Sequence, residues 1–231
     1  MKAPARFNFV LVLIFLTAFC SYAYELVLAN ILSVLWGNVI LQYTVTTGIY
    51  IAAMGAGAYS SPTKINAKKS FIWIEVLLAI LAIISPVLFV YADVSFKSIA
   101  PLVSYSLISA IGFFSGMELP LLLRILDEEK TSTTDKDEKA LFADYAGMFL
   151  AGLLFAFFLN RQFGSLQVNL YLAMANIALT LICGLTWGYR ETSLRKLEFP
   201  AVAILFILIT WSVITHSLIY EEQITRWIIV N

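Results

Sequence analysis

The sequence predicts an all-α protein, a polytopic transmembrane helical bundle of about seven spans. Its composition is the first reason, because 61% of the 231 residues are hydrophobic and only 13% are charged. The mean hydropathy of +0.86 is the second, since it lies far above the range of soluble proteins. Third, most charged residues lie between long apolar runs. Because little chain remains for a soluble part, we expect one integral membrane domain over residues 1–231.

Each predicted span is an apolar run long enough to cross the bilayer, whose hydrocarbon of about 30 Å requires roughly 20 helical residues. In the second span Ala53 and Gly57 stand four positions apart, a spacing that lets helices approach closely in lipid. Pro120 predicts a kink in the fourth span, because proline removes a backbone hydrogen bond. The predicted spans are 7–36, 39–60, 71–92, 99–126, 140–160, 166–189 and 200–220.

The distribution of basic residues predicts a cytoplasmic N-terminus. In that orientation only Lys97, Arg161 and Arg226, of 15 Lys and Arg residues, lie on the outer side. This positive-inside bias is typical of a bacterial cytoplasmic (inner) membrane protein. The polar segment 127–139 then forms a mobile cytoplasmic loop. With seven spans, the C-terminus lies outside.

Several functional classes are excluded or receive no support. The formal net charge is zero, so no basic face for nucleic acid is expected. The sequence contains no HExxH, GxSxG or P-loop motif, and we predict no catalytic residue and no bound cofactor. Cys20 and Cys183 both lie within predicted spans, which favours neither a disulfide nor a metal site. The single histidine, His216, is more typical of packing than of a ligand.

Four acidic residues interrupt the apolar spans: Glu25, Glu75, Glu118 and Asp144. An acid inside a bilayer is costly, which makes each a candidate functional residue. Counted from the nearest basic residue, Glu75, Glu118 and Asp144 lie at one level, roughly 8–9 Å from the cytoplasmic boundary. Glu25 lies nearer the middle of its span. We therefore predict a substrate-binding cavity, open to the cytoplasm, that attracts amines, metal ions or protons.

Each acid also has a purely structural interpretation. Asp144 would complement the helix dipole if it lay in the first turn of its span. Glu75 would reach the surface or cap a helix locally. The functional interpretation is favoured for Glu25 and Glu118, which are expected to lie deeper.

Two further sets of residues extend the hypothesis or merely hold helices together. Polar side chains within spans either continue a polar path or hydrogen-bond neighbouring helices. Aromatic side chains either hold an ammonium by cation–π attraction or pack. The polar set is Asn30, Asn38, Gln42, Asn160 and Asn176. The aromatic set is Tyr22, Tyr24, Trp36, Tyr43 and Tyr50.

Short motifs that combine polar and glycine positions follow one another along the first five spans. They are YELVLA (24–29), WGN (36–38), QYTVTTG (42–48), AMGAG (53–57), IEVLL (74–78), GMELPLLLR (116–124), ADYAG (143–147), GLLF (152–155) and FG (163–164). In this order they resemble the N-terminal transmembrane domain of integral-membrane spermidine synthase-like proteins, the polyamine aminopropyltransferases. The resemblance covers nearly the whole chain, and the four acids match acidic positions of the family pattern.

The resemblance implies a bundle of about seven helices joined to a soluble aminopropyltransferase domain of Rossmann type. That domain would transfer aminopropyl from decarboxylated S-adenosylmethionine to putrescine or a related amine. Its glycine-rich nucleotide loop and catalytic acids match nothing in this sequence, so no catalytic residue is carried over. The cofactor is expected only with a synthase partner. A synthase domain after seven spans would lie outside, unless the first or the last segment does not cross; these alternatives stay open.

The leading hypothesis is a transporter-like membrane domain that binds or conducts a cationic amine, or presents a polyamine to an aminopropyltransferase partner. Glu118 and Glu25 would be the principal ligands, and Asp144 and Glu75 would line the vestibule. One alternative is a non-transport anchor or scaffold, whose acids are satisfied by internal hydrogen bonds without a cavity. Another is the membrane half of a lipid-modifying aminopropyltransferase. The expected partners are the lipid bilayer, a polyamine and a soluble aminopropyltransferase domain or subunit. No nucleic acid partner is expected.

Overall fold

The regular structure of the described residues is entirely helical. The computed structural model describes residues 3–63, 65–128 and 135–188. Residues up to Thr180 form one compact unit, and residues 181–188 belong to a second unit. The predicted all-α class is therefore confirmed for this part of the chain. Its helices are α1 (Ala3–Trp36), α2 (Val39–Tyr59), α3 (Ala67–Ser95), α4 (Ala100–Gly116), α5 (Glu118–Glu128), α6 (Lys136–Leu154), a π-helical turn (Phe155–Leu159) and α7 (Asn160–Gly188).

Five segments of the described residues are long and apolar enough to cross a membrane, not the seven predicted for the chain. The predicted spans 140–160 and 166–189 both fall within one apolar segment of 52 residues, in which the backbone leaves the helical region at Gly164. The predicted span 200–220 lies outside the described residues. The five segments are Arg6–Trp36, Val39–Tyr59, Ala67–Ser95, Ala100–Glu128 and Lys136–Trp187.

The last of these segments is not a straight helix. At about 1.5 Å per residue, a straight helix of this length would be more than twice as long as the hydrocarbon of about 30 Å. The backbone leaves the helical region at Gly164, where φ is 69° and ψ is 162°. The π-helical turn Phe155–Leu159 precedes this point by about one turn. The segment therefore bends at Gly164.

The first two helices form an antiparallel hairpin, as the very short connection between the predicted spans 7–36 and 39–60 indicates. α1 ends at Trp36 and α2 begins at Val39. Gly37 and Asn38 both have positive φ, 71° and 45°, which reverses the chain in two residues. The Asn38 side chain then caps α2 by accepting a hydrogen bond of 3.2 Å from the Leu41 backbone.

The small residues noted in the sequence lie where helices touch. α1 packs against α6, and α2 packs against α4. A Cβ atom at Gly57 would overlap the backbone carbonyl of Phe113, and one at Gly116 would overlap that of Met54. A Cβ atom at Gly147 would overlap the carbonyl of Phe15. The absence of a side chain thus permits backbone contact between these helices, as predicted.

The fourth span is broken close to Pro120, as predicted. α4 ends at Gly116, Met117 forms a turn, and Glu118 is the first residue of α5. The Leu121 amide donates a 3.3 Å hydrogen bond to the Met117 carbonyl across this break. The break therefore places an acidic side chain at a helix start inside the bundle.

The predicted loop 127–139 is partly helical in the structure. α5 extends through Glu128 and α6 begins at Lys136. Residues 129–134 lie outside the described residues, and the mobility of this loop stays a prediction. Lys136 forms an ion pair with Asp127, which joins the two ends of the loop.

Candidate functional site

The four intramembrane acids differ in how deeply they are buried. The exposed fraction is 0% for Glu75, 3% for Glu25 and 5% for Glu118. Asp144 is only partly buried. Burial within the protein therefore does not follow the depth inferred from the sequence, because Glu75, expected at the vestibule, is the most enclosed of the four.

The Glu75 carboxyl group is buried without hydrogen bonds to the described residues. Neither carboxylate oxygen has a hydrogen-bond partner among the described residues. A side chain that reached the surface would be exposed, and one that capped a helix would accept a backbone hydrogen bond. Both structural interpretations of Glu75 are thus inconsistent with its surroundings. An unpaired buried polar group costs about 1–3 kcal/mol, so this position requires an explanation.

Three acids approach one another from different helices. Glu75 lies on α3, Glu118 starts α5 and Asp144 lies on α6, and α5 packs against both α3 and α6. The Glu118 carboxylate lies within electrostatic range of Glu75 and Asp144. We call these three residues the inner acid cluster. Like charges repel one another, so the cluster favours a cation near Glu118.

Two side chains of α1 border the inner acid cluster. The hydroxyl of Tyr24 and the thiol of Cys20 are both within electrostatic range of Glu75 and Glu118. Tyr24 is fully buried, and its hydroxyl has no hydrogen-bond partner among the described residues. The Tyr24 hydroxyl is therefore a second buried polar group without a hydrogen-bond partner among the described residues, and it lies within electrostatic range of the Glu75 carboxyl.

Asp144 does not act as a first-turn acid. α6 begins at Lys136, and the acids of its first turn are Asp137 and Glu138. Asp144 lies more than one turn further along, beyond the reach of the dipole effect at the helix start. This excludes the dipole interpretation of Asp144.

Glu25 has a different environment from the inner acid cluster. It accepts a 2.6 Å hydrogen bond from the Thr47 hydroxyl of α2. On one side of this pair, the Ser21 and Tyr50 hydroxyls lie 3.1 Å apart. Polar side chains of α1 thus form hydrogen bonds with side chains of α2 at successive positions along the hairpin. The carboxylate of Glu25 therefore has a hydrogen-bond donor within the protein.

Asn30 forms further side-chain hydrogen bonds nearer the C-terminal end of α1. Its amide donates hydrogen bonds to Asn160, at 3.0 Å, and to the Ser165 hydroxyl, at 2.5 Å. Its carbonyl oxygen accepts a 3.2 Å bond from the Tyr43 hydroxyl. Asn160 and Ser165 lie on either side of Gly164, so this network ties the bent segment to α1 and α2.

The remaining residues of the predicted polar path do not join these groups. Asn38 caps α2, as described above. The Gln42 side chain accepts a 2.9 Å hydrogen bond from Tyr105 of α4. Asn176 is 1% exposed, and its side-chain oxygen has no hydrogen-bond partner among the described residues. Of the five, only Asn30 and Asn160 contact each other.

A cavity of about 630 Å³ lies between α2 and α4. It is lined mainly by small side chains, and none of the four acids contributes to its walls. The inner acid cluster and this cavity are therefore separate features. The lining residues are Ile49, Ala52, Ala53, Ala56, Ser106, Ser109, Ala110, Phe113 and Phe114.

Arg124 fastens the inner end of α5 to the connection between α2 and α3. Its guanidinium donates hydrogen bonds to the backbone carbonyls of Pro62, Thr63 and Ile65. A single planar group thus satisfies three carbonyls of one loop. The sequence indicated only a positive charge at the inner boundary here, and no signal in it predicted these partners.

No three or more His, Cys, Asp and Glu side chains of the described residues are grouped so as to hold a metal ion. The inner acid cluster consists of carboxylates alone, next to a tyrosine hydroxyl and a thiol. Carboxylates accept hydrogen bonds and attract cations, and they offer no electrophile or nucleotide-binding backbone. The arrangement is suited to binding a cation with several N–H donors.

Five candidate transmembrane helices identify the chain as an integral membrane protein of the lipid bilayer. It is homologous over most of its length to polyamine aminopropyltransferases. Polyamine aminopropyltransferase 2 of Ralstonia nicotianae is 31% identical over 183 residues, 76% of this chain and 35% of the relative. The Oceanobacillus iheyensis enzyme is 28% identical over 178 residues, 76% of this chain and 34% of the relative. Polyamine aminopropyltransferase 2 of Aquifex aeolicus is 30% identical over 219 residues, 91% of this chain and 42% of the relative.

The chain thus spans between 34% and 42% of the length of these three relatives. The relation itself agrees with the family resemblance of the sequence motifs. No protein-family model matches the chain, and no solved structure matches it.

Proposed function

We propose that this chain is the membrane portion of a polyamine aminopropyltransferase system and that it binds a cationic polyamine at the inner acid cluster. Homology to polyamine aminopropyltransferases supports the amine as ligand. The described part of the chain consists of apolar helices, which supports a role in the membrane beside the group transfer. Decarboxylated S-adenosylmethionine would be needed only by a soluble synthase partner.

The unpaired carboxyl of Glu75 is the observation that carries this proposal. A structural acid would be hydrogen-bonded, as Glu25 is to Thr47. Glu75 instead has two buried oxygens without a hydrogen-bond partner among the described residues, and it lies within electrostatic range of Glu118. A protonated amine supplies only donors and a positive charge, which complements two or three carboxylates. Glu75 and Glu118 are then the principal ligands, and Asp144, which is partly exposed, receives the amine first.

The predicted orientation of the chain indicates from which side of the membrane an amine would reach this site. The positive-inside bias puts the N-terminus and the inner acid cluster on the cytoplasmic side. A soluble aminopropyltransferase in the cytoplasm would then draw amine from, or deliver it to, this face of the bundle. Glu25 lies beyond the cluster toward the outer end of α1 and is proposed as a second amine-binding position in a conduction path.

Spermidine binding to the purified protein in lipid nanodiscs tests the proposal by isothermal titration calorimetry. Loss of one charge-assisted contact, worth about 1.5–3 kcal/mol, predicts affinities lower by about 10- to 100-fold for Glu75→Gln and for Glu118→Gln. Glu138→Gln is the matched control, because Glu138 is an exposed acid of α6 in the same half of the bundle. Unchanged affinity in both cluster variants, with the protein folded, would contradict the proposal.

The anchor or scaffold alternative predicts internally satisfied acids. Glu25 fits that prediction, and Glu75 does not. One observation favours the lipid-modifying alternative, since the cavity between α2 and α4 ends at Phe114, four residues before Glu118. If that alternative is right, a lipid with an amine headgroup will compete with spermidine in the same titration, and Phe114→Trp will weaken the lipid alone.

A further inference from the structure

Aromatic and polar side chains from four helices contact one another at the end of the bundle opposite the inner acid cluster. Trp36 is the last residue of α1, and its indole Nε1–H donates a 2.8 Å hydrogen bond to Oδ1 of Asp93, in the last turn of α3. The Trp36 and Tyr105 rings meet edge to face, with their centroids 6.0 Å apart. Tyr105 of α4 in turn donates its hydroxyl proton to Gln42 of α2. We call Trp36, Tyr105 and Asp93 the outer cluster.

The outer cluster and the inner acid cluster lie at opposite ends of α3. Glu75 and Asp93 both belong to this helix, and at about 1.5 Å per residue roughly 27 Å of helix separates them. This separation is close to the thickness of the hydrocarbon, about 30 Å. The positive-inside bias puts Asp93 on the outer side. A single alkylammonium group therefore cannot contact both clusters.

The polar atoms of both aromatic rings of the outer cluster are engaged inside the protein. Tryptophan and tyrosine often line the membrane interface, where their polar ends face water and headgroups. Here the Trp36 N–H bonds to Asp93, and the Tyr105 hydroxyl bonds to Gln42, which is buried. Both rings are nevertheless only partly buried. Aromatic surface and a carboxylate, rather than hydrogen-bond donors, therefore remain available to a ligand.

Asp93 is an acid without a basic partner in the described part of the chain. Lys97 follows it by four positions, but no ion pair joins these two described residues. The Trp36 indole supplies one neutral donor to the carboxylate. A carboxylate accepts about four hydrogen bonds, and Asp93 is only partly buried, so most of this capacity remains for a ligand.

These features define the chemistry of the ligand. A carboxylate attracts a positive charge, and the face of a tryptophan or tyrosine ring attracts a cation through its quadrupole. An alkylammonium group suits both, since its N–H donors bond to the carboxylate while its carbon atoms contact the rings. A divalent metal ion would require several oxygen ligands, and the outer cluster offers one carboxylate.

We propose that the outer cluster binds an organic ammonium group, at a site distinct from the inner acid cluster. This site goes beyond the proposed function and does not depend on it. Two sources present such a group at the outer membrane surface: a free polyamine and the headgroup of an amine-bearing lipid. Together with amine binding at the inner acid cluster, the outer cluster would give the bundle one ammonium site at each membrane surface.

Fluorine NMR of the protein labelled with 5-fluorotryptophan tests the outer site, because the Trp36 side chain lies within the cluster. Trp36→Phe identifies its resonance in nanodiscs of phosphatidylglycerol, whose headgroup carries no amine. Spermidine is expected to shift this resonance, and potassium chloride at the same ionic strength is not. Asp93→Asn, which keeps the shape of the side chain, is expected to weaken the spermidine affinity measured at Trp36 by about 10- to 100-fold, through loss of one charge-assisted contact.

Two comparisons control for indirect effects. Asp137→Asn is the matched control for Asp93→Asn, because Asp137 is an exposed acid in the first turn of α6; its affinity is expected to stay within about twofold of the parent. Tyr105→Leu removes one ring and is expected to lower the affinity by about 2- to 30-fold. Tyr105→Phe keeps the ring and is expected to stay within about threefold of the parent.

Nanodiscs that contain phosphatidylethanolamine distinguish the two sources of the ammonium group. A Trp36 shift caused by this lipid, and lost in Asp93→Asn, supports a headgroup as ligand; a shift with spermidine alone supports a free amine. An unshifted Trp36 resonance with both sources overturns the outer site, as does an equal shift in the parent and Asp93→Asn. Loss of the Trp36 response in Glu75→Gln would overturn the separation of the two sites. None of these failures affects the calorimetric test of the inner acid cluster, so the two proposals fail separately.

Discussion

An apolar substitution at Glu75 is expected to stabilise the protein while it removes amine binding. The Glu75 side chain is 0% exposed, and neither of its carboxylate oxygens has a hydrogen-bond partner among the described residues. Such an unsatisfied group costs about 1–3 kcal/mol, and an apolar side chain of similar size removes that cost. Glu75→Met is therefore expected to raise the free energy of unfolding by about 1–3 kcal/mol.

Glu25→Met is expected to lower the free energy of unfolding, in contrast to Glu75→Met. Glu25 accepts a hydrogen bond from Thr47, and methionine would leave that hydroxyl without its acceptor. Loss of such a bond costs about 1 kcal/mol. Comparison of the two variants therefore separates an unpaired acid from a paired one, although both change one buried glutamate into methionine.

Thermal unfolding in detergent, followed with a thiol-reactive dye, measures both effects because the thiols of Cys20 and Cys183 are buried in the folded protein. For a chain of this size, 1 kcal/mol corresponds to a Tm shift of about 2–4 °C. We expect a higher Tm for Glu75→Met and a lower one for Glu25→Met. A lower Tm for Glu75→Met would show that its carboxyl is satisfied in the protein, and the argument for a ligand there would fail.

Three further outcomes follow from the packing. Gly57→Ala is expected to destabilise the protein by about 1–3 kcal/mol, because its Cβ atom would overlap the α4 backbone. In the same unfolding assay Gly48→Ala, at an open position, is expected to be neutral or stabilising. Asn30→Leu is expected to lower Tm by several degrees, since it removes three side-chain hydrogen bonds. Arg124→Lys is expected to increase proteolytic cleavage at the loop between α2 and α3, because lysine cannot bond three carbonyls in one plane; equal cleavage in variant and parent would contradict this.

Much of the fold could be predicted from the sequence because the bilayer restricts the possible structures. Apolar length gave the first four spans to within a few residues, and positive-φ residues at 37–38 fitted the predicted hairpin. The break beside Pro120 followed from its missing N–H group. The count of spans was wrong around Gly164, where the two predicted spans form one segment of 52 residues that bends at this glycine, since polar composition alone does not distinguish a bend from a loop.

The candidate site was predicted only as a set of residue types. The sequence identified the four acids, but it favoured Glu25 over Glu75 as a principal ligand. That order depended on depth along a helix, whereas hydrogen bonding depends on which neighbour faces the side chain. Thr47 faces Glu25, whereas no hydrogen-bond partner in the described part of the chain faces Glu75. Tyr50 was considered only for cation–π attraction, and its hydroxyl contacts to two other helices had no signal in the sequence.

The sequence by itself determined that the protein lies in a membrane, where its apolar helices begin, and which acids interrupt them. These properties follow from the cost of exposing charge or unpaired backbone to hydrocarbon, and each is local to one segment. Only the tertiary structure decided that Glu118 lies within electrostatic range of both Glu75 and Asp144 while Glu25 is paired elsewhere. Backbone contacts at Gly57, and at other glycines, bring neighbouring helices close together, and the side chain that faces each buried carboxyl decides whether it finds a donor.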